Sequence, residues 1–463
     1  MPIDPMTHTE PAFQGLIGVA RADITPPDGI HARNWGAATH DTALGVHRPL
    51  TATALFLGDV AGSAPLILLS LDGGWWRSPD DTEFVRGKVG QVLDIPAAHV
   101  VLCLTHTHAG ASLCRADAGK PGGEHVAPYL EQLRETCARL AVEARAHARP
   151  ATLTVATGAC RLATNRDARD PGDSARYVTG FAPDAPPADS TLLVGRVTGD
   201  ATGEVIATVV NYACHPTTLG HGNRRISPDY IGAMRTLVEG ETGDAPCLFL
   251  QGASGELAPA EQYVADTGVA DRHGRTLGYA VLSALSALPA TATRLRFAGV
   301  VSSGAPLGVW EREAYSPPTA PFRAEICPVP LPLKELPTRA RLLGDLAEAS
   351  DAASAERLRR RLQVRKSVGD GDTLSYPVWV WRFGTIAVVA HPGEAYSALQ
   401  IAARAAAPGY AVLVVNVANG WFGYLPPAHL YAKPLYSTTQ TPLAAGCLES
   451  VIAAVRETLE ETL

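Results

Sequence analysis

The chain lacks the features that mark several classes of protein. Its eight cysteines are scattered and none forms a C-x-x-C pair, so neither a disulfide framework nor a cysteine-rich zinc site is expected. No apolar run approaches the roughly 18 residues that span a bilayer, so no transmembrane segment is predicted. The net charge is -7, which gives no attraction to nucleic acid. We expect reduced thiols, with Cys103, Cys214 and Cys247 buried in apolar strands.

The N-terminus also lacks a targeting signal. The opening MPIDPMTHTEPAFQG has neither the basic region nor the apolar stretch of a secretory signal. We therefore predict a cytoplasmic location, a flexible N-terminal tail over residues 1–14 and a single domain over residues 15–463. No internal repeat or composition shift marks a second domain. The sequence identifies no protein partner.

The composition is that of a folded protein rich in turns. Hydrophobic residues make up 46% of the chain and charged residues 18%. Short β-rich apolar runs alternate with helical segments, which predicts an α/β fold. Several predicted strands are apolar at every position, as in strands covered on both faces. The predicted strands are 51–58, 65–71, 99–105, 204–212, 246–250, 385–390 and 411–417. The predicted helices are 124–148, 273–287, 336–365 and 445–462, and the predicted long loops are 165–190 and 315–332.

Polar side chains directly follow five of the predicted strands. VLCL continues into THTHAG, ATVVNY into ACHPTTLG, and CLFL into QGASGELAP. Farther along, IAVVA continues into HPGEAYS, and VLVVNVANG into WFGY. In open α/β sheets, ligands bind at the carboxyl ends of the strands. The pattern therefore predicts that these five segments meet at one functional site.

The THTHAG segment contains two histidines, His106 and His108, separated by one residue. In an extended chain both project to the same face, roughly 6–7 Å apart. They form either a metal and proton-transfer site or two polar residues where a strand meets water. His215 and Glu394, which follow other strands, are likewise either metal ligands or structural residues at element ends. Two imidazoles and a carboxylate make a catalytic zinc set when one position stays open for water.

The order of these motifs resembles the catalytic N-terminal domain of the neutral/alkaline (non-lysosomal) ceramidases. GVARADITPPDG and GVHRPLTATALFL are similar to the start of that family. The motifs THTHAG, NYACHPT, QGASGELAP, HPGEAYS and GYLPP…LYSTT follow in the family's order. The resemblance runs from about Gly15 to the C-terminus. It implies stacked mixed β-sheets flanked by helices, and a hydrolase that acts on linear amides.

The resemblance also implies a metal centre with one zinc ion (Zn2+) per chain. Its ligands would be His106, His215, Glu394 and Tyr424. The tyrosine ligand comes from the family pattern alone, because the spacing of the residues does not select it. The zinc would activate a water molecule for attack on an amide carbonyl.

Four further positions match functional residues of the family. His108 would stand beside the activated water, as an acid–base residue or as an oxyanion donor. Tyr436 would face the substrate carbonyl and stabilise the oxyanion. Asn165 and Arg166, in the segment ATNRDA, would contact the substrate. From the residues alone, Arg166 is nearly as well explained as a solvated loop arginine.

The chain departs from the family pattern in three respects. Ala258 and Ala260 stand where the family has a serine and an asparagine, which excludes a nucleophilic serine at that place. The chain stops shortly after its predicted C-terminal helix, so we expect the family's immunoglobulin-like domain to be absent. No secretion signal is visible. These departures leave a hydrolase with this site but weaken ceramide as its substrate.

Two alternatives stay open beside the principal prediction of a zinc-dependent amidohydrolase that acts on a lipid-like or small-molecule amide. The same site could act on a small soluble amide, lactam, ester or lactone in a biosynthetic or degradative pathway. A non-catalytic ligand-binding relative is the third reading. It predicts the loss of a zinc ligand or of His108, yet every matched position is filled.

Overall fold

The computed structural model describes residues 5–59, 62–317, 321–349 and 352–462. In it, apolar runs form strands and amphipathic segments form helices. The strands are β1 Thr7–His8, β2 Ala12–Asp23, β3 Thr51–Gly58, β4 Leu66–Leu71, β5 Val100–Leu104, β6 Arg149–Ala159, β7 Ala163–Asn165, β8 Asp167–Asp170, β9 Asp173–Thr179, β10 Thr191–Gly199, β11 Val205–Tyr212, β12 Cys247–Gln251, β13 Leu257–Pro259, β14 Thr293–Ser303, β15 Ala305–Ala314, β16 Arg323–Pro332, β17 Thr373–Phe383, β18 Ile386–Ala390, β19 Glu394–Ala395, β20 Ala411–Val415 and β21 Tyr424–Leu425. The helices are α1 Pro79–Leu93, α2 Val126–Ala146, α3 Tyr230–Glu241, α4 Thr267–Ala287, α5 Arg339–Ala347, α6 Ala352–Val368, α7 Ala398–Ala406, α8 Tyr436–Gln440 and α9 Cys447–Thr462.

Two large mixed sheets contain most of the strands. The larger has eight strands in the order β12-β11-β10-β6-β2-β3-β4-β5, and the smaller has four in the order β16-β17-β18-β20. Neighbouring strands are antiparallel except for three parallel pairs, β4 with β5, β11 with β12, and β18 with β20. Parallel neighbours run in the same direction, so both end at the same edge of the sheet. The remaining strands form the small sheets β1-β14-β15, β7-β13, β8-β9 and β19-β21.

An apolar core lies between the two large sheets. Val101 of β5 contributes to it from the larger sheet, and Trp381 of β17 and Leu413 of β20 contribute from the smaller. Successive residues of a strand point to opposite faces, so Leu102 packs on the other side, against helices. Because both faces of β5 are covered, the strand is apolar at every position.

Helices cover the outer face of each sheet. α1 and α2 pack on one half of the larger sheet through residues such as Val85 and Leu133. α3 and α4 pack on the other half through residues such as Met234 and Leu277. α7 and α9 cover the outer face of the smaller sheet. The layers are therefore helix, sheet, sheet and helix, which confirms the predicted α/β fold of stacked mixed sheets flanked by helices.

The predicted elements agree with these bounds in most places. The seven predicted strands are confirmed, as are the predicted helices 124–148, 273–287 and 445–462, with small shifts at their ends. The predicted helix 336–365 is two helices, α5 and α6. Residues 350–351, between these two helices, lie outside the described residues.

Both predicted long loops contain strands. The range 165–190 includes the hairpin β8–β9, and the range 315–332 includes β16, which pairs with β17 along its whole length. β16 has prolines at alternate positions in ICPVPLP, which is a loop signal. Proline is tolerated in this strand because it lies at the edge of its sheet, where half of the backbone N–H groups need no partner. Residues 318–320 lie outside the described residues.

Part of the predicted flexible tail over residues 1–14 forms strands among the residues that the structure describes. Thr7–His8 pair with β14, and β2 begins at Ala12. Phe13 is buried, with ring centroids 5.4 Å from Phe322 and 5.5 Å from Phe383. Burial of this aromatic side chain therefore holds the segment in the larger sheet. Residues 1–4 lie outside the described residues, and the single domain over residues 15–463 stays a prediction.

The described helices include none that is long and apolar enough to cross a membrane. All eight cysteines are free thiols, and all but Cys327 are buried. Cys103, Cys214 and Cys247 have no exposed surface, which confirms that they behave as small core residues.

A buried ion pair next to β4 provides a test of this packing. Asp72 accepts hydrogen bonds from Arg235 of α3 at 2.9 and 3.0 Å, and from the backbone N–H of Thr51 at 2.8 Å. We expect Asp72→Ala to lower the free energy of unfolding by about 3–5 kcal/mol, because the Arg235 charge is then buried without its partner. Urea denaturation measures the change. The control is Glu143→Ala, which removes the partner of Arg139 in an ion pair at the surface. It should lower the free energy of unfolding by less than about 1 kcal/mol. Equal decreases in the two variants would contradict the prediction.

Candidate metal centre

Segments that follow five strands meet at one buried cluster, as the sequence predicts. His106 follows β5, His215 follows β11 and Glu394 follows β18. The segment after β12 contributes the backbone carbonyl of Ser254, and the segment after β20 contributes Trp421. His106, His215 and Glu394 are each at most 2% exposed. Residues that are distant in the chain thus form a single polar site closed to solvent.

Three potential ligand atoms form a tight triangle. Nε2 of His106 lies 3.2 Å from Nε2 of His215. Oε2 of Glu394 lies 2.9 Å from the His215 nitrogen and 3.3 Å from the His106 nitrogen. An ion bound tetrahedrally at about 2.0–2.1 Å places its ligand atoms roughly 3.3 Å apart. The triangle therefore matches one face of such a coordination shell.

Neighbouring groups orient each of the three side chains. Nδ1 of His106 lies 2.9 Å from the carbonyl oxygen of Gly74, and Nδ1 of His215 lies 2.6 Å from that of Ser254. A carbonyl only accepts hydrogen bonds, so in the neutral rings each Nδ1 carries the proton and each Nε2 presents a lone pair. Trp421 donates its indole N–H to Oε1 of Glu394 at 2.7 Å. Contacts of this kind fix the tautomer of a ligating imidazole and the orientation of each ligand side chain.

The charges at the cluster favour a bound cation. Burial, and next the charge of Arg166, lowers the pKa of His215 to about 3, so its ring is neutral at pH 7. Burial opposes ionisation of Glu394, but its interactions with His106 and His215 outweigh burial and hold its pKa well below the usual value. When neither ring nitrogen carries a proton, the carboxylate oxygen and two nitrogen lone pairs repel one another at these distances, and a bound metal cation removes this repulsion. The donor set thus fits a divalent metal ion.

His108 belongs to a second possible ligand group. His106, His108 and His215 each offer one ligand atom, and these atoms lie within 4.8 Å of one another. The ligand atoms of that group lie farther apart than those of the triangle with Glu394. His106 and His215 belong to both groups. The buried cluster could therefore hold a metal ion, and the two groups differ in whether His108 or Glu394 completes the set.

His108 is held between two tryptophans. Its ring centroid lies 5.0 Å from those of both Trp35 and Trp75, and 4.9 Å from that of His106. Neither ring nitrogen has a hydrogen-bond partner among the residues that the structure describes. Burial, and then the neighbouring His106 and His215, hold its pKa well below the usual value, so the ring is neutral at pH 7. A neutral imidazole with two unpartnered nitrogens can accept a proton from a bound molecule.

The proximity of His106 and His108 does not arise from an extended strand. β5 ends at Leu104, and His106 has a left-handed backbone with a φ of 68°, which is uncommon for any residue but glycine. The extended geometry expected from the sequence is therefore wrong, although both rings do reach the same cluster. Backbone strain of this kind concentrates at functional sites.

Tyr424 and Arg166 contact the cluster from one side. Tyr424 of β21 lies in register with Glu394 of β19. Nη2 of Arg166 lies 2.8 Å from the Gly255 carbonyl, 3.2 Å from the Tyr424 hydroxyl and 3.2 Å from Nε2 of His215, and its two N–H groups are shared among these three acceptors. Arg166 is buried, so it is not a solvated loop arginine. Burial and the charge of Glu394 raise the pKa of Tyr424 well above its usual value, and a bound cation would oppose this effect.

Tyr436 and Asn165 occupy positions outside the ligand triangle. Tyr436 begins α8 and is 52% exposed, and its ring centroid lies 5.8 Å from that of Tyr424. Asn165 ends β7 and donates its side-chain N–H to the Pro186 carbonyl at 2.6 Å. Contact of either residue with a substrate stays a prediction.

The sequence carries little signal for several residues of the site. Trp35, Trp75 and Trp421 come from three separate segments, and each contacts a residue of the cluster. Tryptophan is common in cores, and Trp76, directly after Trp75, is a core residue with 1% exposure. The Gly74 and Ser254 carbonyls carry no signal either, because every residue has a carbonyl. Only the placement of the loops identifies these groups.

The fold is similar to that of solved ceramidases. Neutral ceramidase from Pseudomonas aeruginosa has a TM-score of 0.64 over 98% of this chain and 74% of that chain, at 17% sequence identity. A ceramidase complexed with C2 has a TM-score of 0.65 over 97% of this chain and 74% of that chain, at 16% identity. No protein-family model and no curated protein matches the chain. The chain therefore has the fold of a neutral-ceramidase-like catalytic domain.

The ligand triangle predicts the metal content of variants. We expect the purified chain to bind one divalent ion, and His106→Ala and His215→Ala each to lose it, because each change removes one corner of the triangle. Elemental analysis after dialysis measures the ion. His147→Ala changes an exposed histidine next to α2 and should retain the ion. Full metal content in both cluster variants would refute the triangle.

Two further variants separate the possible ligand groups. We expect Glu394→Gln to lose the ion, because the neutral amide no longer offsets its charge, and His108→Ala to retain it. The same elemental analysis applies, with His147→Ala as the common control. The reverse pattern, loss in His108→Ala and retention in Glu394→Gln, would assign His108 as the ligand and contradict the triangle.

Proposed function

We propose that this chain is a zinc-dependent hydrolase that cleaves an amide (N-acyl) bond. Its zinc ligands are His106, His215 and Glu394, with Tyr424 as the fourth. The observation that carries the proposal is the buried triangle of two imidazole nitrogens and one carboxylate oxygen beside the unpartnered ring of His108. Imidazoles with a carboxylate are a ligand set of catalytic zinc sites, and the ceramidase fold supports an amide substrate.

The groups around the cluster prepare it for this chemistry. When bound, zinc supplies a nucleophile at neutral pH by lowering the pKa of water toward about 7, and it polarises a carbonyl. The Gly74 and Ser254 carbonyls hold both imidazoles in the tautomer that ligation requires. Trp421 holds one oxygen of Glu394 and leaves the other for the cluster. Arg166 places positive charge beside the Tyr424 hydroxyl, which favours the ionised form of that ligand.

His108 is the proton-transfer residue in this proposal. Its ring is neutral at pH 7, and Trp35 and Trp75 fix its position. One of its unpartnered nitrogens accepts a proton from the attacking water and delivers it to the nitrogen of the leaving amine. Its lowered pKa assists the second step, because a weakly basic imidazole releases the proton readily. The products are a carboxylic acid and an amine.

Tyr436 and Asn165 contact the substrate in this proposal. The Tyr436 hydroxyl donates to the carbonyl oxygen as negative charge develops on it, and its exposed position beside Tyr424 supports access to substrate. Asn165 precedes Arg166 and contacts the substrate from β7. The hydrogen bonds of Arg166 within the cluster support a role in orienting the ligands rather than a direct substrate contact.

The substrate class has two candidates. The similar solved structures are ceramidases, which supports a lipid-like amide. A small soluble amide, lactam, ester or lactone is the second candidate, and two arginines near His108, Arg224 and Arg225, favour it. Zinc binding without turnover of either class would instead support a non-catalytic binding protein.

The first test is metal-dependent turnover. We expect a chelator to abolish hydrolysis and added zinc to restore it, because the cluster cannot activate water without a cation. Amine release from short-chain amides and from a fluorescent ceramide measures activity and separates the two substrate classes. His106→Ala should stay inactive after zinc is added. A metal-free protein with full activity would contradict the proposal.

The second test separates proton transfer from metal binding. We expect His108→Ala to lower kcat by about 10²–10⁴-fold, the usual contribution of general acid–base catalysis, with an unchanged zinc content. Tyr436→Phe should lower kcat by about 10²–10³-fold, because it removes one oxyanion donor. His147→Ala is the control for both activity and zinc. Normal kcat in His108→Ala would remove this residue from the mechanism.

A further inference from the structure

A cleft extends from His108 toward the protein surface. Its inner part has a volume of about 10 Å³ and is lined by Trp35, His108, Arg224, Arg225 and several alanines. Its outer part shares both arginines with the inner part and has a volume of about 380 Å³. Small-molecule sites typically have volumes of about 300–1,000 Å³. The outer part therefore has the volume of a small-molecule site, and Arg224 and Arg225 lie between it and His108.

Arg224 and Arg225 lie on the loop between β11 and α3, which also carries His215. Hydrogen bonds to the carbonyls of both arginines hold the backbone of this loop. The backbone N–H of Leu44 donates to the Arg224 carbonyl at 2.6 Å, and the side chain of Asn223 donates to the Arg225 carbonyl at 2.8 Å. The side chains are exposed. The side chains of Arg224 and Arg225 thus extend into solvent from a backbone that is held in place on the same loop as His215.

The cleft presents positive charge that has no partner within the described parts of the chain. Arg224 and Arg225 line the inner part without any carboxylate beside them, and no carboxylate of the described ranges forms an ion pair with either. The outer part also includes the carboxylate of Asp266, which accepts the Gly268 N–H at 2.8 Å at the start of α4, so the lining carries two positive charges and one negative charge. His40, also in the lining, has a pKa lowered by burial and then by the charge of Arg224, so it is neutral at pH 7. An anion entering the cleft would therefore meet a net positive charge, with both cations at the inner part.

The inner end of the cleft has polar atoms that need a partner. The indole N–H of Trp35 and both ring nitrogens of His108 are buried without a hydrogen bond to any described residue. A buried polar group without a partner costs free energy, and such groups are rare in folded proteins. An amide of a bound molecule would supply both a donor and an acceptor there. Independently of the arginines, the inner end therefore favours a bound water or the amide of a larger ligand.

We propose that the substrate carries an anionic group, a carboxylate or a phosphate, which Arg224 and Arg225 bind while the amide of the same molecule lies at His108. The inference rests on the proposed amide hydrolysis and adds the class of substrate. Guanidinium groups bind carboxylate and phosphate through paired N–H donors. A neutral lipid amide has no group that could form these pairs. The substrate is therefore an anionic amide.

Matched probes test the charge requirement. The probes are a series of ω-acetamido carboxylates of increasing chain length, the corresponding neutral carboxamides, and ω-acetamidoalkyl phosphates. Calorimetry measures their binding to the full chain at low and high salt, because salt screens exposed ion pairs. The test variant is Arg224→Gln with Arg225→Gln. The control, Arg145→Gln with Arg359→Gln, removes the same charge from exposed positions on α2 and α6.

We expect an anionic probe to bind at least about fivefold more tightly than its carboxamide to the unchanged chain and to the control variant, as two exposed ion pairs allow. That preference should disappear at high salt and in the test variant. Equal binding of charged and neutral probes, no binding of any probe, or a preference that survives in the test variant would overturn the inference.

Turnover, measured separately as amine release, distinguishes the two proposals. Cleavage of the anionic probe with a lower KM than its carboxamide supports both. Preferential binding without cleavage overturns the proposed hydrolysis and leaves the anion site standing. Cleavage without a preference for charge overturns the anion site alone. A larger preference for the phosphates than for the carboxylates identifies phosphate as the anionic group.

Discussion

Two imidazole nitrogens and a carboxylate oxygen converge within 3.3 Å in a space closed to solvent. Electron-rich atoms at such distances repel in a medium of low dielectric constant, so surrounding groups must hold each of them in place. The Gly74 and Ser254 carbonyls orient the rings, and the Trp421 indole orients the carboxylate. Each of these groups lies in a segment that follows a strand. The arrangement of the sheets thus determines whether the cluster exists.

The sheets bring the segments together because parallel neighbours end at the same edge. The segment after β20 then links the two large sheets beside the cluster. The backbone N–H of Asn416 donates to the Gln251 carbonyl at 2.9 Å. The side chain of Asn419 accepts from the Leu102 N–H at 2.8 Å and donates to the Val100 carbonyl at 3.0 Å. Ligands from different sheets therefore share one rigid frame.

Burial explains which elements the sequence predicts well. β5 is apolar on both faces because core lies on both sides of it, so its pattern is unambiguous. β16 is an edge strand with alternating prolines, and the hairpin β8–β9 is largely exposed. Such strands form through pairing with a neighbour rather than through an apolar pattern of their own. For this reason their sequences read as loops, although the structure pairs them.

By itself the sequence determined that polar, metal-competent side chains follow buried strands, with His106, His215 and Glu394 among them. Only the tertiary structure decided that their ligand atoms lie within hydrogen-bonding distance and that Arg166 belongs to the same cluster. The physical reason is the range of the interactions. Burial of a strand leaves a local pattern in the chain, whereas His106 meets His215 across 109 positions and His215 meets Glu394 across 179. Distances between such remote segments are set by sheet pairing and packing, which no local pattern records.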